Sequence, residues 1–288
     1  MADVSLAADP RLDGPAKRRR MPVLVVLSVA FTGIVVVLAI AGNWLTPYDV
    51  QAQDVVLGST GPSGAHWLGT DTLGRDILSM VIAGTRTAVL GPLCLACAAV
   101  LLGSTLGIVA AYRGGFVDGI ANRFADFMYA VPGTLVVIVV AGVVGGGYWI
   151  AVALMTVLAL PVEIRLCRSA ALVQVRLPYI EAARTLGLSG PRILFHHVLP
   201  NILPTVVATF LLDFVAGLVG LSGLAYLGLG APPGSPDWGS LLSDGQALLT
   251  VNPWLTLAPG VMIVLTATSV TLLGDWLYDR SERKGAQQ

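Results

Sequence analysis

Long runs with almost no charge dominate this chain, and they leave it few ways to fold. Six can be marked: about Pro22 to Ala41, Thr87 to Ala111, Phe124 to Val144, Trp149 to Ile164, Ile202 to Leu229 and Leu255 to Leu277. A helix crossing a hydrocarbon core needs about 20 apolar residues. A backbone in lipid must satisfy its own hydrogen bonds, so the runs predict an all-α polytopic membrane protein with six transmembrane helices. Composition agrees: 55% of the residues are hydrophobic and 12% charged, against about 25% charged in a soluble domain.

Net charge is zero, which gives no attraction to nucleic acid, but its distribution is uneven. With the N-terminus inside, Arg11, Lys17, Arg18, Arg19, Arg20, Arg113, Arg123, Arg165, Arg168, Arg176, Arg184, Arg192, Arg280, Arg283 and Lys284 face the cytoplasm; Arg75 and Arg86 alone fall outside. This is the positive-inside pattern, and it predicts both termini in the cytoplasm. The basic cluster Lys17 to Arg20 precedes an apolar run too long for a signal peptide, and no small-residue cleavage site follows it. The expected organisation is a cytoplasmic tail at 1–21, a six-span domain at 22–278 and a cytoplasmic tail at 279–288. Within the spans lie an external segment at 42–86 and a cytoplasmic one at 165–201.

Catalytic patterns are missing from the sequence. There is no G-x-S-x-G, no H-E-x-x-H and no evident pair of acids within the spans. The two lysines, Lys17 and Lys284, follow no G-x-x-x-x-G element, so the chain has no phosphate-binding P-loop and is expected to be non-catalytic. His66 falls outside and His196 and His197 inside, which predicts no shared metal site. Cys94, Cys97 and Cys167 lie in apolar stretches and are read as packing residues.

The cytoplasmic segment is the most informative. From Tyr179 to Pro204 it reads YIEAARTLGLSGPRILFHHVLPNILP. Good helix formers at Glu181 to Leu186, an interruption at Gly187 to Pro191, and a second short helix over Arg192 to Val198 before Pro200 predict a helix, a glycine turn and a helix. Such a surface helix suits a cleft on a soluble partner. The segment resembles the E-A-A motif of ABC importer permeases, E-A-A, three residues, G, and then H-x-L-P. The matching positions are Glu181, Ala182, Ala183, Gly187, His197, Leu199 and Pro200, with Arg184 inside the motif.

Three further stretches resemble the C-type permeases of the dipeptide, oligopeptide and nickel importers: HWLGTDTLGRDILSMVIAGTRTAVLG (66–91), GGFVDGIANRFADFMYAVP (114–132) and LAYLGLGAPPGSPDWGSLL (224–242). The resemblance implies a type I ABC importer permease fold in a bacterial plasma membrane. It also implies a loop that couples to separate ATPase subunits, which would bind ATP and Mg, while this chain binds no cofactor. Implied partners are a second, homologous permease, two ATPase subunits or domains, an extracytoplasmic substrate-binding protein and lipid. The implied cargo is a dipeptide or oligopeptide, alternatively nickel or another small solute.

Where the family often carries a glutamate before its S-F-L-G-L-G element, this chain has Leu221, and Asp213 places an acid earlier in the same span. An ionised carboxylate at that depth costs at least about 2.5 to 3.5 kcal/mol. Asp213, and Ser222 after it, are therefore candidates for lining the path, with an internal hydrogen bond as the alternative for Asp213. An Asp213 that carries a proton or cation would instead suit an ion-driven secondary transporter. Outside, Thr70 to Met80 suggests a short interfacial helix carrying Asp71, Arg75 and Asp76, which with Trp238 are candidates for an external gate or binding-protein contact.

Overall fold

The computed structural model describes residues 22–230 and 235–285, so the N-terminal tail with its basic cluster lies outside the described residues. Among them the only β pairing is an isolated bridge between Thr70 and Asp76, and the rest is helix and loop. Among the described residues five helices are long and apolar enough to cross a membrane. Helix α1 spans Val23–Leu45, α2 Ile77–Arg113, α5 Tyr148–Val175, α8 Leu199–Tyr226 and α10 Trp254–Gly285.

Helix α2 is the central post, packing against α5, α8 and α1. Its 37 residues make a rod about 55 Å long. Gly103 and Gly107 are what let α5 come so close: a Cβ on Gly103 would run into the Glu163 side chain, and one on Gly107 would stand 2.7 Å from the Ile164 carbonyl. Such small-residue contacts hold helices together where lipid offers no hydrophobic drive. Gly217 packs on Pro92 and Leu95 in the same way, and Gly220 on Met155. Helix α1 is bound more loosely and exposes Val23, Leu24, Ile40 and Trp44.

The structure redraws three of the expected spans. The run Phe124–Val144 is not one helix: α3 covers Gly115–Tyr129 and α4 covers Gly133–Val144, with a break at Ala130 to Pro132. Pro132 has no N–H and disfavours helical backbone at Val131. At 12 residues α4 is about 18 Å long, short of the roughly 30 Å hydrocarbon core. The fourth span, expected to end at Ile164, continues to Val175. The charges that seemed to end it are satisfied internally. Arg168 pairs with Asp118 of α3, its Nη2 standing 2.6 Å from Oδ2, and Arg165 pairs with Asp126 while lying 4.8 Å over the Tyr129 ring. Helix α10 likewise runs past Leu277, to Gly285.

A fourth revision, of a connecting segment and not of a span, lies before α2. Thr70 to Met80 is not an interfacial helix; residues 70–76 form a turn closed by Asp71 and Arg75, and α2 begins at Ile77.

Candidate functional site

The segment with the E-A-A pattern folds into two short helices at the Arg113 end of α2. Helix α6, Pro178–Thr185, starts with Leu177 extended and Pro178 in its first turn, where a missing N–H costs nothing. Glu181 in the first turn and Arg184 in the last complement the helix dipole. Its end is a Schellman motif: Leu188 N donates to the Ala183 carbonyl (3.2 Å) and Gly187 N to that of Arg184 (2.9 Å). Gly187 sits at φ +76°, in the left-handed region that favours glycine.

Helix α7, Gly190–Ile193, follows and passes through a π-helical turn, Leu194–Val198, directly into α8. The expected second helix is thus not separate but the root of a span, and Pro200 does not stop it. The wider π turn, with Leu199 N donating to the Leu194 carbonyl, accommodates the proline ring. Asn201 Nδ2 donates to the His197 carbonyl (2.6 Å). The Tyr179 hydroxyl accepts from Asn201 (3.3 Å) and donates to Gln174 (2.9 Å), tying α6 to α5 and α8. Burial lifts the Tyr179 phenol above its usual pKa.

This segment is anchored, not loose. Ile180, Ala183, Ile193, Leu194 and Val198 are buried in one apolar cluster with Ile108 and Ala111 of α2, Cys167 and Ala171 of α5, and Ile202 and Val206 of α8. Ala183 therefore serves the chain's own core, whereas Glu181, Ala182, Arg184, Thr185, Leu186 and Gly187 form an exposed face. Leu186 is 80% exposed. His197 and Leu199 are half-buried behind it and Pro200 is exposed.

At the opposite end, the residues picked out from the sequence are buried. Asp76 caps α2, accepting from Ser79 N (2.8 Å) and Oγ (2.7 Å), and meets His66 Nδ1 at 2.9 Å. Asp71 takes Arg75 N, Nε and Nη2 at 2.6 to 2.8 Å. Trp238, at the start of α9 (Trp238–Asp244), is fully buried and donates Nε1 to the Val81 carbonyl of α2 (2.9 Å). Asp71, Arg75, Asp76 and Trp238 thus form a scaffold under the surface. Asn252, which the sequence did not single out, completes it: its Nδ2 reaches the Thr60 and Leu68 carbonyls at 2.9 and 3.0 Å.

Asp213 and Ser222 are each 9% exposed, so neither faces an open passage in this conformation. Asp213 has company that the sequence hid. Glu163, placed by the span boundaries at a helix end, is in fact mid-helix in α5 and 1% exposed. Its Oε1 lies 3.0 Å from both Thr209 Oγ1, one turn before Asp213, and Cys167 Sγ. Glu163 Oε2 and Asp213 Oδ2 are buried and find no hydrogen-bond partner among the described residues. Two acids therefore do share the bundle interior. Among the described residues no three His, Cys, Asp or Glu side chains gather as a metal site.

With this geometry in hand, comparison with known proteins identifies the family. The model of the binding-protein-dependent transport system inner membrane component matches residues 103–285, which include the whole α6–α7 segment. The chain belongs to this family. This permease is 35% identical to the glutathione transport system permease protein GsiD of Pectobacterium atrosepticum over 255 residues, 88% of this chain and 85% of that protein. It is 32% identical to GsiD of Escherichia coli (strain UTI89 / UPEC) over 269 residues, 93% and 89% of the two chains. Its fold matches chains of the MetNI methionine ABC transporter in inward-facing conformations, with TM-scores of 0.54 and 0.56 at 18% identity, over 71% of this chain and 97% of those. The permease is thus a polytopic membrane subunit of an ABC importer, a family whose members work with ATPase and other subunits.

Proposed function

We propose that this permease forms half of the translocation path of an ATP-driven importer of small peptides and couples to its ATPase subunits through the exposed face of α6. The observation that carries this reading is the exposed face of Glu181, Ala182 and Arg184 to Gly187 laid over an apolar core that reaches α2, α5 and α8. A partner pressing on that face bears on three spans, because the cluster beneath it is built from side chains of α2, α5 and α8. Glu181, Ala182, Arg184 and Gly187 meet the ATPase, while Ala183, His197, Leu199 and Pro200 hold the face in place.

The remaining parts follow from the resemblance and the charge asymmetry. A second permease supplies the other half of the path, two ATPase subunits or domains bind ATP and Mg, and a binding protein delivers cargo to the outer face. Both termini lie in the cytoplasm, with the broken α3–α4 segment as the sixth crossing, in a bacterial inner membrane. The names of the GsiD relatives support a small peptide such as glutathione as cargo over nickel. Asp213 and Ser222 face the path when α8 parts from α2 and α5; uptake and pH dependence unchanged by Asp213→Asn would remove Asp213 from it.

A second reading, transport driven by an ion gradient, draws on the buried acids Glu163 and Asp213. Uptake of labelled glutathione and of a labelled dipeptide by cells separates the two. ATP-driven import persists when an uncoupler collapses the ion gradient while ATP is maintained, and stops when the ATPases are inhibited. The opposite pattern favours the second reading.

A further inference from the structure

We propose that Tyr112, beside the buried Ile108 and Ala111, fastens the coupling segment to α2, so that α2 and the α6–α7 pair travel as one body. Tyr112 lies in the last turn of α2 and is the one residue there whose ring meets both arms of the segment. The Arg184 guanidinium of α6 stacks 4.6 Å from its ring centroid. On α7, Gly190 lies so close that a Cβ there would stand 3.4 Å from the ring. The ring also packs on the apolar cluster that holds Ile180, Ala183 and Ile193.

The other end of α2 is joined to the scaffold of the opposite face. Asp76 caps its first turn and Trp238 binds its Val81 carbonyl. A rod about 55 Å long, gripped at both ends, carries a displacement of α6 and α7 to the opposite face of the membrane. Arg184 then has two duties, since its guanidinium faces the docking surface and its stack on Tyr112 fastens that surface to α2.

The inference rests on the coupling reading, and the test separates the two. In the complete transporter, spin labels are placed at exposed Arg86 on α2 and exposed Arg192 on α7, with Cys94 and Cys97 replaced by serine and the buried Cys167 left in place. Their separation is measured by pulsed electron resonance, without nucleotide and trapped with ATP and vanadate. The expected result is one narrow distance, unchanged by trapping, in the parent and in Tyr112→Phe, which keeps the ring. In Tyr112→Leu, which loses the cation–π contact and the ring's packing, trapping should shift and broaden that distance. Arg184→Gln, which leaves the apolar cluster intact, should act in the same direction if Tyr112→Leu does not fold. A distance that trapping changes in the parent, or one unaffected in both variants, overturns the inference. The coupling reading fails separately, if Gly187→Asp still binds the ATPase subunits as the parent does.

Discussion

Replacement of Gly187 by alanine, asparagine and aspartate distinguishes a docking surface from an ordinary helix end. Gly187 sits at φ +76°, and nothing among the described residues lies within 4 Å of where its Cβ would stand, so that atom meets no clash. The cost is then backbone strain alone. An alanine in left-handed backbone costs about 1 kcal/mol, while asparagine adopts that region more readily. Aspartate shares asparagine's tolerance but places a negative charge at the α6 C-terminus, which costs about 0.3 to 1 kcal/mol. Alanine and aspartate thus destabilise by similar amounts, about 2 to 4 °C in thermal unfolding of the detergent-solubilised permease. Function should separate them. Retention of ATPase subunits on the tagged permease, and uptake by cells, should be near normal for Gly187→Asn, modestly reduced for Gly187→Ala and lost for Gly187→Asp. If Ala and Asp lose both in equal measure, in step with their stability, Gly187 is only a helix cap and the docking argument is wrong.

Further outcomes follow from other contacts. Asn252→Ala strands the Thr60 and Leu68 carbonyls and should cost about 1 to 3 kcal/mol, seen as faster proteolysis within residues 52–70; unchanged proteolysis would mean the clamp is not needed. Trp238→Phe removes the bond to the Val81 carbonyl and leaves a void, and should lower thermal stability by about 1 to 3 kcal/mol while ATPase subunits remain bound. The Arg168 guanidinium holds the Asp118 carboxyl below its ordinary 3.8. That pair therefore adds stability above this value and loses it as pH falls through the lower folded value. The stability gap between the parent and Arg168→Gln should be constant near neutrality and close only in strong acid; a gap that closes near neutral pH would contradict the pairing.

Much of this architecture is legible in the sequence because apolar length and helix punctuation are local. The runs that became α1, α8 and α10, and the helix–glycine–helix pattern at Glu181 to Gly187, need no knowledge of neighbours. What misled were charges whose partners lie far along the chain. Glu163, Arg165 and Arg168 look like the end of a span, yet they face Thr209, Asp126 and Asp118, so α5 continues through them. Asp71, Arg75 and Asp76 read as an exposed amphipathic face because their alternation with Leu73 and Ile77 suits a helix; the turn instead folds the acids onto Arg75, His66 and Ser79. Asn252 left no local trace, since its two strong acceptors lie more than 180 residues away. The division of labour between Ala182 and Ala183, one exposed and one in the core, depends on which face of α6 meets α2 and α5.

Affinity purification of the tagged permease in mild detergent from its native cell, with co-purifying proteins identified, tests the central claim most directly. The account predicts a second permease and P-loop ATPases in stable proportion, with any captured binding protein indicating the cargo. Recovery of the permease alone, from a preparation in which other membrane complexes survive intact, would contradict an importer that couples through α6.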